Sequence, residues 1–391
     1  MIDKGLTMKI AVLKETKQLE KRVALVPESC KKLLQAGYEI SVERGAGEAA
    51  FYPDDAYRGV GCSIVNDAAA MIPAADIVIK VNAPAMGSAA RDEIGSMKPS
   101  AVLIGSLMPL RHLDAVRSLA ARKVTAFSTD AIPRTTRAQA MDTLSSMDNI
   151  TGYKGVLIAA AEHNRYFPLF MTAAGTVYPA KVFVIGAAVA GLQAIATARR
   201  LGASVTATDV RPEVKEQIES LGAKYVGIEL AKSASAGGGY AGELSEQDTA
   251  RQRELLAQQC AVADIVITTA LIGGVFAPKI ITAQIVRSMR PGSVIVDLGA
   301  DGGGNCELSK PGETIMVNGV KIIAPLNLPS TMPMHASLLF SRNIAAFLQA
   351  FTQEKTFKFD LSDDIQKGAL ITHAGEVTNE RVKEALKKAG A

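Results

Sequence analysis

A short apolar run that ends in a glycine turn constrains the fold of this chain more than any other feature. Residues 182–191 read VFVIGAAVAG, and the helix-forming segment LQAIATARRLG follows them directly. A second apolar run, ASVTATD, ends at Asp209. A buried strand, a tight turn, a helix and a second buried strand in this order make a βαβ unit. The sequence therefore predicts a parallel α/β sheet around these residues.

The glycine spacing and the terminal acid of this unit are typical of a dinucleotide-binding turn. Gly186 allows the tight turn, Gly191 lets the helix pack closely on the strand, and the helix N-terminus attracts a pyrophosphate. Asp209 can accept hydrogen bonds from the hydroxyls of an adenosine ribose and would repel a 2′-phosphate, which favours NAD over NADP. Ala188 stands where the pattern usually has its middle glycine, so an ordinary buried βαβ unit is the alternative.

Length and composition favour a globular protein with two domains. The chain has 391 residues, of which 48% are hydrophobic and 21% are charged, enough for two separate cores. Its net charge of +4, from 43 basic and 39 acidic residues, is too balanced to indicate a nucleic-acid partner. The four cysteines and four histidines have no metal-ligand or disulfide spacing, which is typical of a reduced cytoplasmic protein. We see no signal peptide or membrane span and expect a soluble chain.

Strands and helices alternate in two series, which predicts two Rossmann-like doubly wound domains with parallel sheets and a cleft between them. The first series has a helix from Pro27 to Gly37 and strands at 9–13, 39–43, 76–81, 101–107 and 124–128. The second has strands at 182–185, 204–209, 224–226, 264–269 and 293–298, and then a hairpin that turns at Asn318–Gly319.

The predicted N-terminal domain is discontinuous. His335–Phe351 reads as an amphipathic helix that returns to pack on the first domain. We therefore assign residues 1–145 and 332–391 to the N-terminal domain and residues 146–331 to the dinucleotide-binding domain. The charged tail after Thr352 is expected to be partly loose. Residues 233–245, SASAGGGYAGELS, have the composition of a mobile loop.

Polar side chains are concentrated in residues 134–146, between the two predicted domains. Helical spacing would place Gln139, Asp142 and Ser145 on one face. Such a group can satisfy both ends of a carboxamide and so orient a nicotinamide ring. A capped helix start on a solvated connection is the alternative. The small residues of TTALIGG (268–274) either admit a nicotinamide ribose or form a plain turn.

Two further observations bear on the chemistry. Arg211, two residues after Asp209, either borders the adenine or a phosphate or is a solvated residue at a helix start. No histidine falls in a strand-end loop near the predicted nicotinamide, although simple dehydrogenases usually need a proton donor or acceptor there. Hydride transfer between two nicotinamide rings needs only proximity, orientation and exclusion of water.

These stretches together resemble the NAD(H)-binding alpha subunits of proton-translocating NAD(P) transhydrogenases, within the alanine dehydrogenase/transhydrogenase family. The resemblance runs from Met8 to about Phe351. It is carried by KETKQLEKRVALVPE, IPRTTRAQAMDTLSS, TAAGTVYPAKVFVIG, ATDVRPEVKEQIESLGAKY, VITTALI and GSVIVDLGADGGGNCE. This set is far more specific than the glycine pattern alone.

The resemblance implies an enzyme function and a set of partners. NADH bound to this chain would pass hydride directly, with Si-specific/Re-specific transfer, to NADP⁺ held by a partner beta subunit. Proton translocation through membrane subunits, including a second, membrane-spanning alpha subunit, would be coupled to the transfer. The chain would form a homodimer. Its partners would hold it at the cytoplasmic face of a bacterial inner membrane.

The resemblance also implies particular site residues. The nicotinamide would be organised by Arg134, Gln139 and Asp142, with Ser145 beside them. The cofactor contacts would be Arg134, Thr135, Thr136, Gln139, Gly186, Val189, Gly191, Asp209, Val210, Arg211, Gly239, Tyr240, Gln252 and Leu271. Ala188 and the extra glycine in GGGY depart from the family pattern.

Two alternative functions are open to the sequence. In an alanine dehydrogenase, Arg22, Lys80 and Asp301 would bind the substrate, but Ser106 stands where that enzyme has a histidine. A non-catalytic, NAD-responsive regulatory subunit is the second alternative. Such a subunit would not need the polar set of residues 134–142.

Overall fold

Two mostly parallel β-sheets, of eight and seven strands, form the framework of the structure. The computed structural model describes residues 7–87, 91–228, 245–271 and 276–389. The chain divides into a first unit, residues 1–147 with 329–391, and a second unit, residues 148–328. Each unit contains one of the two large sheets.

The described residues contain nineteen strands and thirteen α-helices. The strands are β1 Lys9–Val12, β2 Glu39–Glu43, β3 Ser63–Val65, β4 Ile77–Ile79, β5 Val102–Gly105, β6 Thr125–Ser128, β7 Phe170–Thr172, β8 Gly175–Val177, β9 Lys181–Ile185, β10 Ser204–Thr208, β11 Lys224–Tyr225, β12 Ile265–Thr268, β13 Val294–Asp297, β14 Thr314–Val317, β15 Val320–Ile323, β16 Thr352–Gln353, β17 Thr356–Phe357, β18 Leu370–His373 and β19 Glu376–Val377. The helices are α1 Pro27–Gln35, α2 Asp54–Val60, α3 Ala68–Met71, α4 Glu93–Ser96, α5 Leu113–Ala121, α6 Thr143–Glu162, α7 Val189–Arg200, α8 Lys215–Ser220, α9 Glu246–Val262, α10 Ala283–Ser288, α11 Pro333–Ala350, α12 Asp364–Ala369 and α13 Glu380–Ala389.

The sheet of the first unit has the strand order β3-β2-β1-β4-β5-β6-β18-β19. Strands β1 to β6 are parallel, and their order reverses between β1 and β4 as in a doubly wound fold. Helix α11 packs in the core of this unit through buried residues such as Phe340, Ile344 and Phe347. Its Ser337 and Ser341 hydroxyls accept hydrogen bonds from the backbone of residues 23 and 26.

The expectation that the tail after Thr352 is partly loose was wrong. The tail forms α12 and α13, and β18 adds antiparallel to β6 at the edge of the sheet. Leu370 and Ile371 are fully buried there. Phe357 packs its ring edge against Phe127 with centroids 5.8 Å apart. The apolar segment ALIT, too short to stand out among charged neighbours, anchors the tail because β6 would otherwise have an unpaired edge.

The sheet of the second unit repeats the same winding, with the order β11-β10-β9-β12-β13-β15-β14. All neighbours are parallel except the hairpin pair β14 and β15. Asn318 and Gly319 have φ values of 49° and 78°, as the predicted two-residue turn requires. The predicted α/β class with two Rossmann-like parallel sheets is therefore confirmed. In such sheets, ligands bind at the carboxyl ends of the strands beside the reversal, here between β9 and β12.

Most predicted strands are present and shorter by one or two residues, because apolar residues also flank the strand ends. The sequence analysis missed β3 and the exposed hairpin of β7 and β8. Among the described residues, none of the helices combines the length and the hydropathy of a membrane span.

Candidate nucleotide-binding site

The turn after β9 requires both of the glycines that the sequence analysis singled out. Gly186 has a φ of 95°, and its N–H donates to the Thr208 carbonyl of β10 at 2.9 Å. A Cβ at this position would lie 2.6 Å from the Thr269 hydroxyl oxygen. A Cβ on Gly191 would overlap the carbonyl oxygen of Gly186. The first turn of α7 therefore packs on the strand end more closely than any side chain permits.

Ala188 fits its position without strain. It is the N-cap of α7, with φ −80° and ψ −167°, an extended conformation that any residue adopts. No described side chain caps this helix end. The first N–H groups of α7 are consequently open to an anion, and the helix dipole favours negative charge there. A dinucleotide pyrophosphate fits this turn, and the backbone does not require a middle glycine.

Asp209 lies beside this turn and is saturated with hydrogen bonds. Its Oδ2 accepts from the Ala187 N–H at 2.7 Å and from Arg211 Nη2 at 2.8 Å. Its Oδ1 accepts from the Arg211 N–H and from Arg211 Nε, both at 2.9 Å. The interpretation of Arg211 as a solvated residue is wrong, because its side chain is only 10% exposed. The hydrogen bonds from Asp209 raise the pKa of Arg211, so the guanidinium stays charged.

Two residues that the sequence analysis missed hold the loop after β12. The Asn305 side chain accepts from the Ala270 N–H at 3.1 Å and donates to the Ala270 carbonyl at 2.8 Å. It also donates to the Pro278 carbonyl at 3.0 Å. The loop that was predicted to meet a nicotinamide ribose, including half-buried Leu271, is thus fixed by one amide.

Asp297, at the end of β13, supports Asn305 from a fully buried position. Its Oδ1 accepts from the Thr268 hydroxyl at 3.0 Å and from the Asn305 N–H at 2.9 Å. Its Oδ2 accepts from the Ser309 hydroxyl at 2.6 Å. Both acids and amides occur in GSVIVDLGADGGGNCE, but sequence spacing alone does not indicate that they reach across to β12.

The polar segment of residues 134–145 belongs to the first unit and differs from its predicted shape. Residues 136–141 form a 3₁₀ turn, and helix α6 begins only at Thr143. The prediction that Gln139 and Asp142 share a helical face was therefore wrong. Asp142 instead caps α6, because it accepts from the Ser145 N–H at 2.9 Å and from the Ser145 hydroxyl at 2.6 Å.

This segment is held from both sides and presents its polar residues to solvent. Arg137 forms ion pairs with Asp363 and Asp364 of the C-terminal tail. The side chain of Asn343 donates to the Ala140 carbonyl at 2.8 Å. Ala138 is buried beneath the segment. The exposed residues between these anchors are Arg134, Thr135, Thr136 and Gln139.

The remaining predicted contacts are distributed over the second unit. Val189 and Val210 flank the fingerprint turn and the end of β10, and both are half-buried. Gln252 lies half-buried in α9. Gly239 and Tyr240 lie outside the described residues.

The basic residues that an alanine dehydrogenase would use are already neutralised. Arg22 donates to both carboxylate oxygens of Glu20, from Nε at 2.8 Å and from Nη2 at 2.7 Å. The Lys80 ammonium contacts both oxygens of Glu93, at 2.9 and 2.7 Å, and lies 3.9 Å from Glu15. All of these side chains are buried. The chain's own carboxylates thus occupy the cations that a small carboxylate substrate would need.

Comparison with known proteins identifies the family. A model of the alanine dehydrogenase/PNT N-terminal domain matches residues 11–151, and a model of the C-terminal domain matches residues 155–380. The chain is 46% identical to the first of the separate alpha chains of the NAD(P) transhydrogenase of Rhodospirillum rubrum, over 95% of this chain and 98% of that protein. The chain belongs to the alanine dehydrogenase/PNT family, among its NAD(P) transhydrogenase alpha subunits.

Other relatives agree with this placement. NAD(P) transhydrogenase subunit alpha of Haemophilus influenzae is 42% identical over 94% of this chain and 71% of that protein. A crystal structure of transhydrogenase from Sinorhizobium meliloti has a TM-score of 0.84 and 41% identity, over 94% of this chain and 99% of that chain. Alanine dehydrogenase of Halomonas elongata is only 28% identical, over 97% of both proteins, and is a distant homologue. The resemblance stated from the sequence is therefore confirmed.

Proposed function

We propose that this chain is the NAD(H)-binding subunit of a proton-translocating NAD(P) transhydrogenase. The observation that carries the proposal is the turn of residues 186–191, with its uncapped helix and with Asp209 beside it. This turn fits a dinucleotide in a chain that is closely similar to transhydrogenase alpha subunits. We also infer that the first unit is the N-terminal domain and that the second unit is the NAD(H)-binding domain.

The second unit binds the cofactor through its backbone and one acid. The N–H groups at the start of α7 bind the pyrophosphate, and Asp209 accepts the hydroxyls of the adenosine ribose. The loop at Leu271, fixed by Asn305, receives the nicotinamide ribose. Other residues assigned to the cofactor surface are Val189, Val210, Arg211, Gly239, Tyr240 and Gln252.

The first unit supplies the groups that orient the nicotinamide. Bound NADH supplies the hydride, which passes directly to NADP⁺ on a partner beta subunit. The exposed Arg134, Thr135, Thr136 and Gln139 hold the carboxamide and keep water from the reacting ring. Asp142 and Ser145 fix the start of α6 and thereby the position of Gln139.

The chain also forms a homodimer in this proposal, through the hairpin of β7 and β8. This two-stranded sheet and its flanks expose six large apolar side chains, far more than any other described surface element of this length. They are Tyr166, Leu169, Phe170, Met171, Val177 and Tyr178. Exposed apolar patches and open strand edges mark association surfaces. Light scattering is expected to give a dimer for the wild type and a monomer for Met171→Asp, whereas Leu361→Asp, at another exposed apolar residue, remains dimeric.

The remaining partners are the beta subunit and the second, membrane-spanning alpha subunit, which hold this chain at the cytoplasmic face of the inner membrane. Proton translocation belongs to those subunits and is coupled to the transfer of hydride. Recruitment to vesicles that contain both partners tests this assignment. Equal recruitment to vesicles without them would contradict it.

The decisive experiment mixes the purified chain with an NADP(H)-binding transhydrogenase subunit. We expect the chain alone to bind NADH and to reduce almost no NAD⁺ with alanine. The mixture is expected to transfer hydride between the two nucleotides. Robust alanine-dependent reduction of NAD⁺ would refute the proposal, and NADH binding without any transfer in the mixture would favour a regulatory subunit. The buried pairs of Arg22 with Glu20 and of Lys80 with Glu93 argue against the alanine dehydrogenase alternative.

A further inference from the structure

Asp209 and Arg211 form a closed pair where the adenosine ribose of the proposed cofactor would bind. Four hydrogen bonds of 2.7 to 2.9 Å converge on the Asp209 carboxylate, three of them from Arg211 and one from the Ala187 N–H. A carboxylate offers about four lone-pair positions, so all of them are filled. A ribose can bind Asp209 only by taking positions that the guanidinium now occupies.

The guanidinium is held in place by its own backbone. The Arg211 N–H bonds to the same carboxylate, and Arg211 then caps the 3₁₀ turn Pro212–Val214. The other charged group that acts on it is the acidic Glu213. A guanidinium that lost Asp209 would therefore stay beside the end of β10.

Such a guanidinium would need a new anion. The two side chains are only 10% and 6% exposed, and a buried charge that loses its partner is strongly unfavourable. The planar fork of arginine binds phosphate with two hydrogen bonds as readily as it binds carboxylate. The anion that would arrive at a ribose here is the 2′-phosphate of NADP(H).

We propose that Arg211 is a latent 2′-phosphate site that Asp209 keeps closed. The pair, and not the acid alone, then determines that this chain selects NAD(H). Asp209 acts twice, because it repels a 2′-phosphate and also occupies the arginine that would otherwise bind one. This inference rests on the proposed function.

The test compares four full-length chains: wild type, Asp209→Ser, Arg211→Gln and the double variant. Each is titrated with NADH and NADPH, and with 5′-AMP and 2′,5′-ADP, which differ only in the 2′-phosphate. We expect Asp209→Ser to bind NADPH at least tenfold more tightly than the wild type does. It should also prefer 2′,5′-ADP to 5′-AMP by at least tenfold, and the double variant should lose both gains.

Two results would overturn the inference. The first is an Asp209→Ser chain that binds NADPH no better than the wild type does. The second is a double variant that keeps the full gain, because repulsion by the acid would then account for the selectivity alone. Asp209→Asn, of similar volume, provides a second test if Asp209→Ser does not fold. Glu216→Ser removes a nearby exposed acid and should leave NADPH binding unchanged. A wild type that binds neither NADH nor 5′-AMP would refute the proposed function, whatever the variants do.

Discussion

Arg22 and Glu20 form a two-pronged ion pair inside the first unit, with N–O distances of 2.8 and 2.7 Å. This is the geometry in which arginine binds the carboxylate of a small ligand. The side chain of Glu20 is fully buried, and its Oε2 also accepts from the Asn82 amide at 2.9 Å. The arginine in the sequence motif KRVAL therefore serves the structure of this chain, whereas the distant alanine dehydrogenase relatives act on a carboxylate.

Glu20 is expected to make the protein sensitive to acid. Burial raises its pKa, but the hydrogen bonds and charge of Arg22 and the bond from Asn82 outweigh burial and lower the pKa to about 2. A carboxyl with a lowered pKa stabilises the fold above its unfolded pKa, near 4.5, and this stability is lost as the pH falls toward 2. The loss should amount to about 3 kcal/mol.

Urea unfolding at pH 7, 4 and 3 measures this effect. Glu20→Gln should lower the free energy of unfolding at pH 7 by about 3 kcal/mol, because Arg22 is left buried without its anion. The variant should lose less stability than the wild type between pH 4 and pH 3. Glu39→Gln, at an exposed strand position, is the control. Parallel acid profiles for wild type and Glu20→Gln would show that the pair does not act in this way.

The turn of residues 186–191 predicts opposite results for two small substitutions. Gly191→Ala should cost more than about 2 kcal/mol of stability and abolish NADH binding, because its methyl group would overlap the Gly186 carbonyl. Ala188→Gly should change stability by less than about 1 kcal/mol and NADH affinity only a few-fold, since φ is already negative there. Thermal unfolding and NADH fluorescence titration measure both. A large gain in affinity for Ala188→Gly would mean that the methyl group obstructs the pyrophosphate.

Gln139 and Asp142 should affect different steps. Gln139→Asn should slow hydride transfer in the mixed assay and leave both NADH affinity and stability nearly unchanged, because the side chain is exposed. Asp142→Ala should cost about 1 kcal/mol through loss of the helix cap. Asp142→Asn keeps a capping oxygen and should restore that stability. A fall in NADH affinity for Gln139→Asn would contradict the assigned role.

The sequence predicted the periodic elements of the fold and only some of the site. Apolar runs such as those of β9 and β12 must be buried on both faces, so they are readable without neighbours. The turn glycines were predicted because their backbone conformation permits nothing larger. The tail and Asn305 were missed because their partners are distant in sequence. The pairing of Arg211 with Asp209 depends on side-chain orientation, which a spacing of two residues does not determine.

Asn305 is expected to be a positioning residue for the nicotinamide half of the cofactor. Asn305→Ala removes the three hydrogen bonds that fix Ala270 and Pro278. Stability should fall by about 2 kcal/mol, because buried backbone groups lose their partners. NADH affinity should fall at least tenfold, whereas the affinity for 5′-AMP, which binds only at the Asp209 end, should not change.

A matched control separates positioning from general loosening of the second unit. Ser309→Ala removes a buried hydrogen bond to the same Asp297 without touching the loop after β12. It should cost about 1 kcal/mol and leave NADH affinity intact. If Asn305→Ala weakens 5′-AMP and NADH equally, the amide serves only the fold. A loss confined to NADH places the nicotinamide ribose at the loop that Asn305 holds.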